Sequence, residues 1–415
     1  MFWMTAALCV IQVWFEKPDM GENSDVNDIE GRKNGFQSFE HAAADIVLAA
    51  SFNSSGTRIV LCSADHKIRV YNIDEDNEYF LVDQWRGHDA EVLDVQWLAS
   101  SLGQFFATIG GDNKFKLWRE DPSQAFKSGR RFRCIFSQSP LNHVSYVSFG
   151  SKTIRHDLFL SLITHDGLLS LLEPADPESL SSWNVIDNIY PFGQHHRGTE
   201  ARFRLSFHQG EGPSTNAVFA GLDPNAISLA VSAIEHIKIY RAVKSGEPSE
   251  SNYLFYEMIE IQTDATINEI AWAPGCLHPY DIIAAACNDG TIRIFEVNTP
   301  HEVDASLRTP AVKAYKPNGP RRALPATMRN APSGIGAGLA DMSRNAPPRE
   351  VMNSLNIKHE WKQAALLSHD EAPVWRIRWI YDGSALASTG DDGKVHLWKQ
   401  SLSGDYVDFA ETEPV

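Results

Sequence analysis

Apolar and polar positions alternate at period two on both sides of the Asp391-Asp392-Gly393 turn. Leu386 on one arm, and Val395 and Leu397 on the other, are spaced by small or polar residues. The alternation predicts two half-buried strands, 384–389 and 394–398, joined as a hairpin, because an Asp-Gly step between alternating runs is a strong short-range hairpin signal. A lone hairpin is marginal in water and needs neighbours of its own kind. The segments Leu61–Tyr71, Ala107–Trp118, Ser161–Leu172 and Ala284–Phe295 repeat the pattern. In every copy an Asp stands six residues before an aromatic residue or Leu: Asp65 before Tyr71, Asp112 before Trp118, Asp166 before Leu172, Asp289 before Phe295 and Asp392 before Trp398. A second ladder, Phe52, Trp97, Phe149, Phe207, Trp272 and Trp379, runs ahead of the first in the same order. Two ladders in register argue against chance.

Undisturbed copies recur about every 45 to 55 residues, the size of one four-stranded propeller blade. The pattern therefore predicts one all-β architecture, a six-bladed WD40-type β-propeller, rather than two or three separate cores. Strands of blade one are expected near 46–52, 58–63, 67–72 and 79–85. Those of blade two, the most regular copy, are expected near 92–97, 104–109, 114–118 and 131–136. Blade three falls at 143–189. Blade four, at 201–259, diverges most, with a first loop over Gln209–Asn216 and a turn lengthened by Leu222–Asn225. Blade five starts at Thr266, is interrupted, and resumes over 358–367 for its outer strand. Blade six spans 374–379 to 406–409.

His88, Thr108, Asp112 and Trp118 of blade two are placed like the hydrogen-bonded tetrad of WD-type propellers, and His369, Ser388, Asp392 and Trp398 repeat those positions in blade six. In such a tetrad the carboxylate accepts from the imidazole and the hydroxyl links imidazole to indole N–H, so each buried polar group is satisfied. A His, a hydroxyl and an Asp also spell a hydrolase triad. Recurrence at one point of a structural repeat favours the structural role, and no nucleophile and base stand together elsewhere, so no catalytic, cofactor or metal residue is assigned. In blade three Leu162, Leu168 and Leu172 replace polar members, which predicts apolar packing alone. His195 and His196 lack Cys or carboxylate ligands at matching spacing, and a solvated loop is expected there.

The formal charge of −16 argues against nucleic-acid binding by the folded body, since phosphate neutralisation needs a basic surface. Five cysteines form no Cys-x-x-Cys pair. Cys62, Cys134 and Cys287 lie in apolar strand context, as buried thiols do in a reducing compartment. The apolar run Met1–Phe15 is too short for a membrane-spanning helix and has no basic flank of the kind a signal peptide carries. It reads as a disordered aromatic extension or as an over-extended gene start with the true initiator near Met20, without membrane insertion. Asn298–Ser354 is aperiodic and rich in Pro, Gly, Ala and Arg, with eight basic residues and one acid between Arg308 and Arg349. It is expected to be a disordered basic insertion, and its charge suits a weak, salt-sensitive contact to acidic partners or nucleic acid. Gly334–Gly338 resembles a phosphate loop only superficially, having no preceding strand and no Gly-Lys-Ser. The expected division is an extension over 1–36, blades one to five over 37–297, the insertion over 298–357, the end of blade five and blade six over 358–409, and a tail over 410–415.

At this level of detail the chain resembles the Seh/Sec-thirteen propellers, and within them the Seh-type nucleoporins. The residues that carry the resemblance are Asp45-Ile46, Ser51-Phe52 with Cys62–Asp65, the segment Glu173–Trp183, and Leu386–Gly393 with Leu397–Lys399. Similarity spans about Asp45 to Lys399 and weakens through blade four. The resemblance implies an open six-bladed propeller whose seventh blade is inserted in trans by a helical scaffold nucleoporin. It implies scaffold membership of the Y-shaped subcomplex of the nuclear pore at the nuclear envelope, with the other members of that complex as partners. A second family assembly, at the vacuolar or lysosomal membrane surface, regulates TOR signalling. The alternatives are a COPII-type vesicle outer-coat propeller or a closed WD40 adaptor. Six blades with no residues left over for a seventh leave an unpaired edge, and the candidate partner edge lies at Ile46, Leu48, Val395 and Leu397.

Overall fold

A computed structural model describes residues 39, 41–98, 103–140, 144–154, 157–194, 202–210, 212–245, 252–275, 278–300, 357–369, 372–380, 382–401 and 403–412. The chain folds into six four-stranded antiparallel sheets, each a meander of consecutive strands. Blade one comprises β1 (Val47–Phe52), β2 (Arg58–Ser63), β3 (Lys67–Ile73) and β4 (Tyr79–Arg86), and blade two β5 (Val92–Leu98), β6 (Phe105–Gly110), β7 (Lys114–Glu120) and β8 (Phe132–Gln138). Blade three is β9 (Tyr146–Ile154), β10 (Asp157–Thr164), β11 (Leu169–Pro174) and β12 (Trp183–Ile189). Blade four is β13 (Arg204–Phe207), β14 (Ile227–Ala233), β15 (His236–Ser245) and β16 (Asn252–Gln262), with one short helix, α1 (Thr215–Phe219), between its first two strands. Blade five is β17 (Ile267–Trp272), β18 (Asp281–Cys287), β19 (Thr291–Asn298) and β20 (Glu360–Ser368). Blade six is β21 (Val374–Trp379), β22 (Ala385–Gly390), β23 (Val395–Gln400) and β24 (Tyr406–Glu411).

Interior strands are covered on both faces by neighbouring blades and are mostly apolar, with a few buried polar residues such as Asn268 and Glu269 on β17. β6, β14, β17, β18 and β22 are buried at every position. The turn between the second and third strands shows why Asp recurs. Lys67, Lys114, Thr291 and Lys394 each donate a backbone N–H to the Asp two residues earlier, at 3.0, 3.2, 3.0 and 3.1 Å. The residue after that Asp has positive φ: His66, Asn113, Gly290 and Gly393 at 67, 60, 79 and 72°. An Asx-turn followed by a left-handed residue closes these hairpins, so Asp and Gly or Asn are selected by backbone geometry.

The aromatic ladder sits at the inner strands and points back at the preceding blade. Trp97 packs in the cluster shared by blades one and two, Phe149 between two and three, Phe207 between three and four, and Trp272 between four and five. Trp379 lies against the cluster between blades five and six. Among the described residues Phe52 belongs to a cluster made only of blade one and the chain leading into it: Val47, Ile59, Leu61 and Tyr71, flanked by Phe39, Ala43, Ala50, Tyr79 and Leu81. Inner strands pack in sequence, β1 on β5, β5 on β9, β9 on β13, β13 on β17 and β17 on β21; among the described residues β21 and β1 do not pack to that extent.

The expectations that fall on Met1–Phe15, on His195 and His196, and on the insertion beyond Pro300 lie outside the described residues. Helix α1 was not anticipated, because five residues carry too little period to read. Cys134 is a correction: it stands exposed on outer strand β8, while Cys62 and Cys287 are buried as expected. An outer strand has one solvated side, so apolar neighbours in sequence do not bury every position on it.

Candidate functional site

Blade two brings its four predicted residues together as a directed chain of hydrogen bonds. Trp118 Nε1–H donates to Thr108 Oγ1 at 2.9 Å. Thr108 Oγ1 and His88 Nε2 are 2.8 Å apart, and His88 Nδ1 and Asp112 Oδ1 are 2.8 Å apart. With the indole able only to donate and the carboxylate only to accept, the roles between are set: Thr108 donates to Nε2, and Nδ1–H donates to Asp112. The Asp89 backbone N–H adds a bond to the other carboxylate oxygen at 3.1 Å. Burial depresses the His88 pKa despite the neighbouring carboxylate. Burial works to raise the Asp112 pKa, but the Asp89 amide and the His88 ring hold it below the usual range. The hydroxyl of Thr108 is wholly buried and committed on both sides, so it has no access to a substrate.

Blade six departs from that scheme. Trp398 Nε1–H donates to Ser388 Oγ at 2.8 Å. The Asp392 carboxylate, however, is approached by two imidazoles: His369 Nδ1 at 3.3 Å and His396 Nε2 at 3.0 Å. The second nitrogen of His396 meets Asp408 Oδ2 at 2.6 Å. Burial opposes a charged His396 ring, yet Asp408 and Asp392 raise its pKa above the ordinary value. Potential ligand atoms of His369, Asp392 and His396 lie within 4.8 Å of one another. A protonated His396 held between two carboxylates accounts for that cluster without a metal.

The role of His396 was missed from sequence, although a signal existed. Each tetrad Asp is followed four residues later by a base: Arg69, Lys116, Arg293 and His396 after Asp65, Asp112, Asp289 and Asp392. In blade one Arg69, almost fully buried, binds Asp65 through both terminal nitrogens, and the Asp65 pKa lies far below the carboxylate range, with these bonds outweighing burial. In blade five Arg293 Nη2 reaches Asp289 at 2.9 Å, and Thr291 Oγ1–H donates to it at 2.6 Å. Blades one and five thus substitute an ion pair for the imidazole. Blade three is not held by apolar packing alone, since buried Asp166 accepts from the Thr164 hydroxyl.

Blade four has no turn Asp, and its junction with blade five carries another buried polar group. Arg241 on β15 is fully buried and donates to Ser228 Oγ at 2.7 Å and to Asp281 Oδ2 on β18 at 3.2 Å. Ser214 Oγ–H donates to the same carboxylate oxygen at 3.0 Å. The lengthened first loop therefore ends on blade five, and Asn216 N–H completes the join on Pro279 O at 2.9 Å. His208 Nε2 lies 3.8 Å from Asp281 Oδ1, and burial pushes its pKa down to about 4. Gly210 and Gly275 enclose that ring, and a Cβ on either would come within 2.6 Å of it.

Residues proposed for the partner edge are spread over the two blades that flank the boundary between β21 and β1. Val395 and Leu397 are buried on β23. Ile46 precedes β1, and Leu48 occupies the register shift between Val47 and Ala49; both are half-buried.

Six meandering blades, an Asx-turn Asp in four of them and a buried His-Thr-Asp-Trp chain define a WD-repeat β-propeller. The model of the WD domain, G-beta repeat, matches residues 36–72, 80–119 and 361–399. Nucleoporin SEH1 of Saccharomyces cerevisiae is 29% identical over 385 residues, covering 89% of this chain and 97% of the relative. Nucleoporin SEH1 of Chaetomium thermophilum is 25% identical, with 91% and 94% covered, and Nucleoporin SEH1 of Homo sapiens 22% identical, with 87% and 84% covered. The chain is similar over most of its length to Seh-type WD-repeat nucleoporins.

Proposed function

We propose that the chain is an architectural component of the nuclear pore, a scaffold of its Y-shaped subcomplex that has no chemistry of its own and is completed by strands from a helical nucleoporin. The observation that carries this reading is the apolar face of blade one, on which Phe52, Ile59, Leu61 and Tyr71 form a cluster with no other blade in it among the described residues. Every other member of the aromatic ladder packs against a preceding blade. An added blade would give that face what its five counterparts have, and its backbone would pair by β-augmentation. The nucleoporin names of the relatives support the place of action.

Co-expression with the candidate helical nucleoporin, followed by hydrogen exchange, tests the reading. A stoichiometric complex in which Val47–Phe52 and Val374–Trp379 exchange more slowly than in the chain alone is the expected result. Equal protection with and without the partner refutes the donated blade, and stoichiometric capture by a vesicle-coat rod instead refutes the nuclear pore assignment.

A further inference from the structure

In blades one, two and five the residue four places after the turn Asp carries a fixed positive charge. Arg69 binds Asp65 through both terminal nitrogens, Arg293 Nη2 lies 2.9 Å from Asp289, and Lys116 after Asp112 donates its ammonium to Gly87 O at 2.7 Å. Blade six puts two imidazoles beside its turn Asp instead. One oxygen, Asp392 Oδ2, lies 3.0 Å from His396 Nε2 and 3.3 Å from His369 Nδ1, and the two ring centroids are 4.1 Å apart. Two nitrogens aimed at one carboxylate oxygen are the donor set of a metal site.

Three separate pieces of chain bring these groups together, and each group is held in place. His369 follows β20, Asp392 sits in the turn between β22 and β23, and His396 is on β23. Gly390 makes room for the His369 ring, since a Cβ there would come within 2.9 Å of two ring atoms. Asp392 Oδ1 accepts the Lys394 backbone N–H at 3.1 Å, which turns Oδ2 toward the imidazoles. His396 Nδ1 lies 2.6 Å from Asp408 Oδ2 on β24, and the ring stacks against Trp398 at 5.8 Å and 17°. A carboxylate on the far nitrogen fixes the tautomer of a ligating histidine and aims the other nitrogen at the ion. Zinc bonds of about 2.0–2.2 Å set tetrahedral ligands roughly 3.3 Å apart. The two imidazole-to-carboxylate spacings, 3.3 and 3.0 Å, match that edge, and potential ligand atoms of the three residues lie within 4.8 Å of one another. The His369, Asp392 and His396 side chains are 0, 11 and 4% exposed, while Asp408 and Glu411 are 32 and 55% exposed. A cation thus meets carboxylates on the way in from solvent, on a chain of formal charge −16.

We propose that His369 Nδ1, Asp392 Oδ2 and His396 Nε2 bind one zinc ion, with the fourth position left to water and Asp408 as the positioning residue for His396. Two nitrogens and one oxygen suit zinc, whereas magnesium and calcium take oxygen ligands. In the metal-free chain a proton on His396 Nε2 holds the contact with Asp392. On binding, that proton leaves to solvent, Nδ1–H stays on Asp408, and the ion takes His369 as a further ligand. The ion joins the β20–β21 connection, the β22–β23 turn and β23, and so braces blade six. This inference stands apart from the nuclear pore reading.

The test is made on the full chain, stripped with a chelator and dialysed. Zinc chloride titrated in a calorimeter should fill a site of micromolar or tighter affinity that His369→Gln and His396→Gln each weaken at least tenfold, with far-ultraviolet circular dichroism unchanged. Asp408→Asn should weaken that site about ten- to a hundredfold without changing the stoichiometry, as loss of a positioning carboxylate does. Zinc at a hundredfold excess over its Kd should raise the Tm by roughly 4–6 °C. Cobalt chloride in place of zinc should give the intense visible bands of a tetrahedral site. Saturation only at millimolar zinc, equal binding of magnesium chloride, or an unchanged site in His369→Gln overturns the proposal. Loss of the site in Glu411→Gln also overturns it, by moving the ion to His396, Asp408 and Glu411, as does loss in the pair His195→Gln and His196→Gln. If the histidine variants fail to fold, the native chain decides: weak octahedral cobalt bands and an unmoved Tm with zinc refute the site.

Discussion

Replacing Asp112 by Ala removes the acceptor at the end of the chain running from Trp118 through Thr108 and His88. Three donors lose a partner: His88 Nδ1–H at 2.8 Å, Asp89 N–H at 3.1 Å and Lys114 N–H at 3.2 Å. They are not equivalent. The Asp89 and Lys114 amides lie near the surface and find water, whereas the His88 side chain is 0% exposed. Stranding that one buried donor costs about 1–3 kcal/mol, and loss of the Asx-turn bonds adds roughly 1 kcal/mol. A total of about 2–4 kcal/mol corresponds to a fall in Tm of roughly 4–8 °C for a domain of this size. Asp112→Asn keeps an oxygen for Nδ1–H and loses only the charge, so its cost should be about 1 kcal/mol. Urea unfolding followed by tryptophan fluorescence, with thermal unfolding beside it, gives both values. An Asp112→Ala chain within 0.5 kcal/mol of the native one, or an Asn variant as damaged as the Ala variant, would refute the tetrad as a chain of satisfied donors.

Asp281→Ala should be more harmful, about 3–5 kcal/mol, because it leaves the Arg241 guanidinium buried and unpaired. The double variant Asp281→Ala with Arg241→Met should recover much of that loss, and a simple sum of the two single effects in urea unfolding would contradict the pairing. On the acid side, His208 is held neutral with a pKa near 4 against about 6.5 unfolded. Its contribution is complete above pH 6.5 and is lost as pH falls toward 4, about 3 kcal/mol in all; His208→Gln should flatten the stability curve in that window. His396 has the opposite sign, since its raised pKa gives stability that is present below about pH 6.5 and lost as pH rises through the folded value. A native-like alkaline slope in His396→Asn would exclude the bridge between Asp392 and Asp408. Finally, Asn298 on β19 pairs directly with Glu360 on β20, so replacing residues 301–356 by a short Gly-Ser turn should leave the unfolding midpoint within about 1 kcal/mol, loop closure costing little with length. Loss of soluble protein on that replacement would show that the segment is needed for folding.

Local rules made much of the molecule legible. The Asp-Gly and Asp-Asn turns, the period-two alternation and the aromatic ladder identify six blades because each reports a backbone requirement satisfied within a dozen residues. The His88 to Trp118 chain was legible for the same reason: four residue types at fixed repeat positions make up a closed hydrogen-bond inventory. Other features were decided only when distant strands met. That His396 is drawn between Asp392 and Asp408 depends on the register of β24 against β23, which no turn motif specifies. That Arg241 and Asp281 form a buried pair depends on which faces of blades four and five are turned toward each other, forty residues apart in sequence. Cys134 looked buried because its sequence neighbours are apolar, but outer strand β8 has one side in solvent. Above all, Phe52 is one ladder residue among six in sequence, and only the packing of whole blades distinguishes it. Burial of an aromatic at an inner strand is a local demand written into the chain, whereas the identity of what covers it is a property of the ring, and at blade one the described ring supplies no preceding blade.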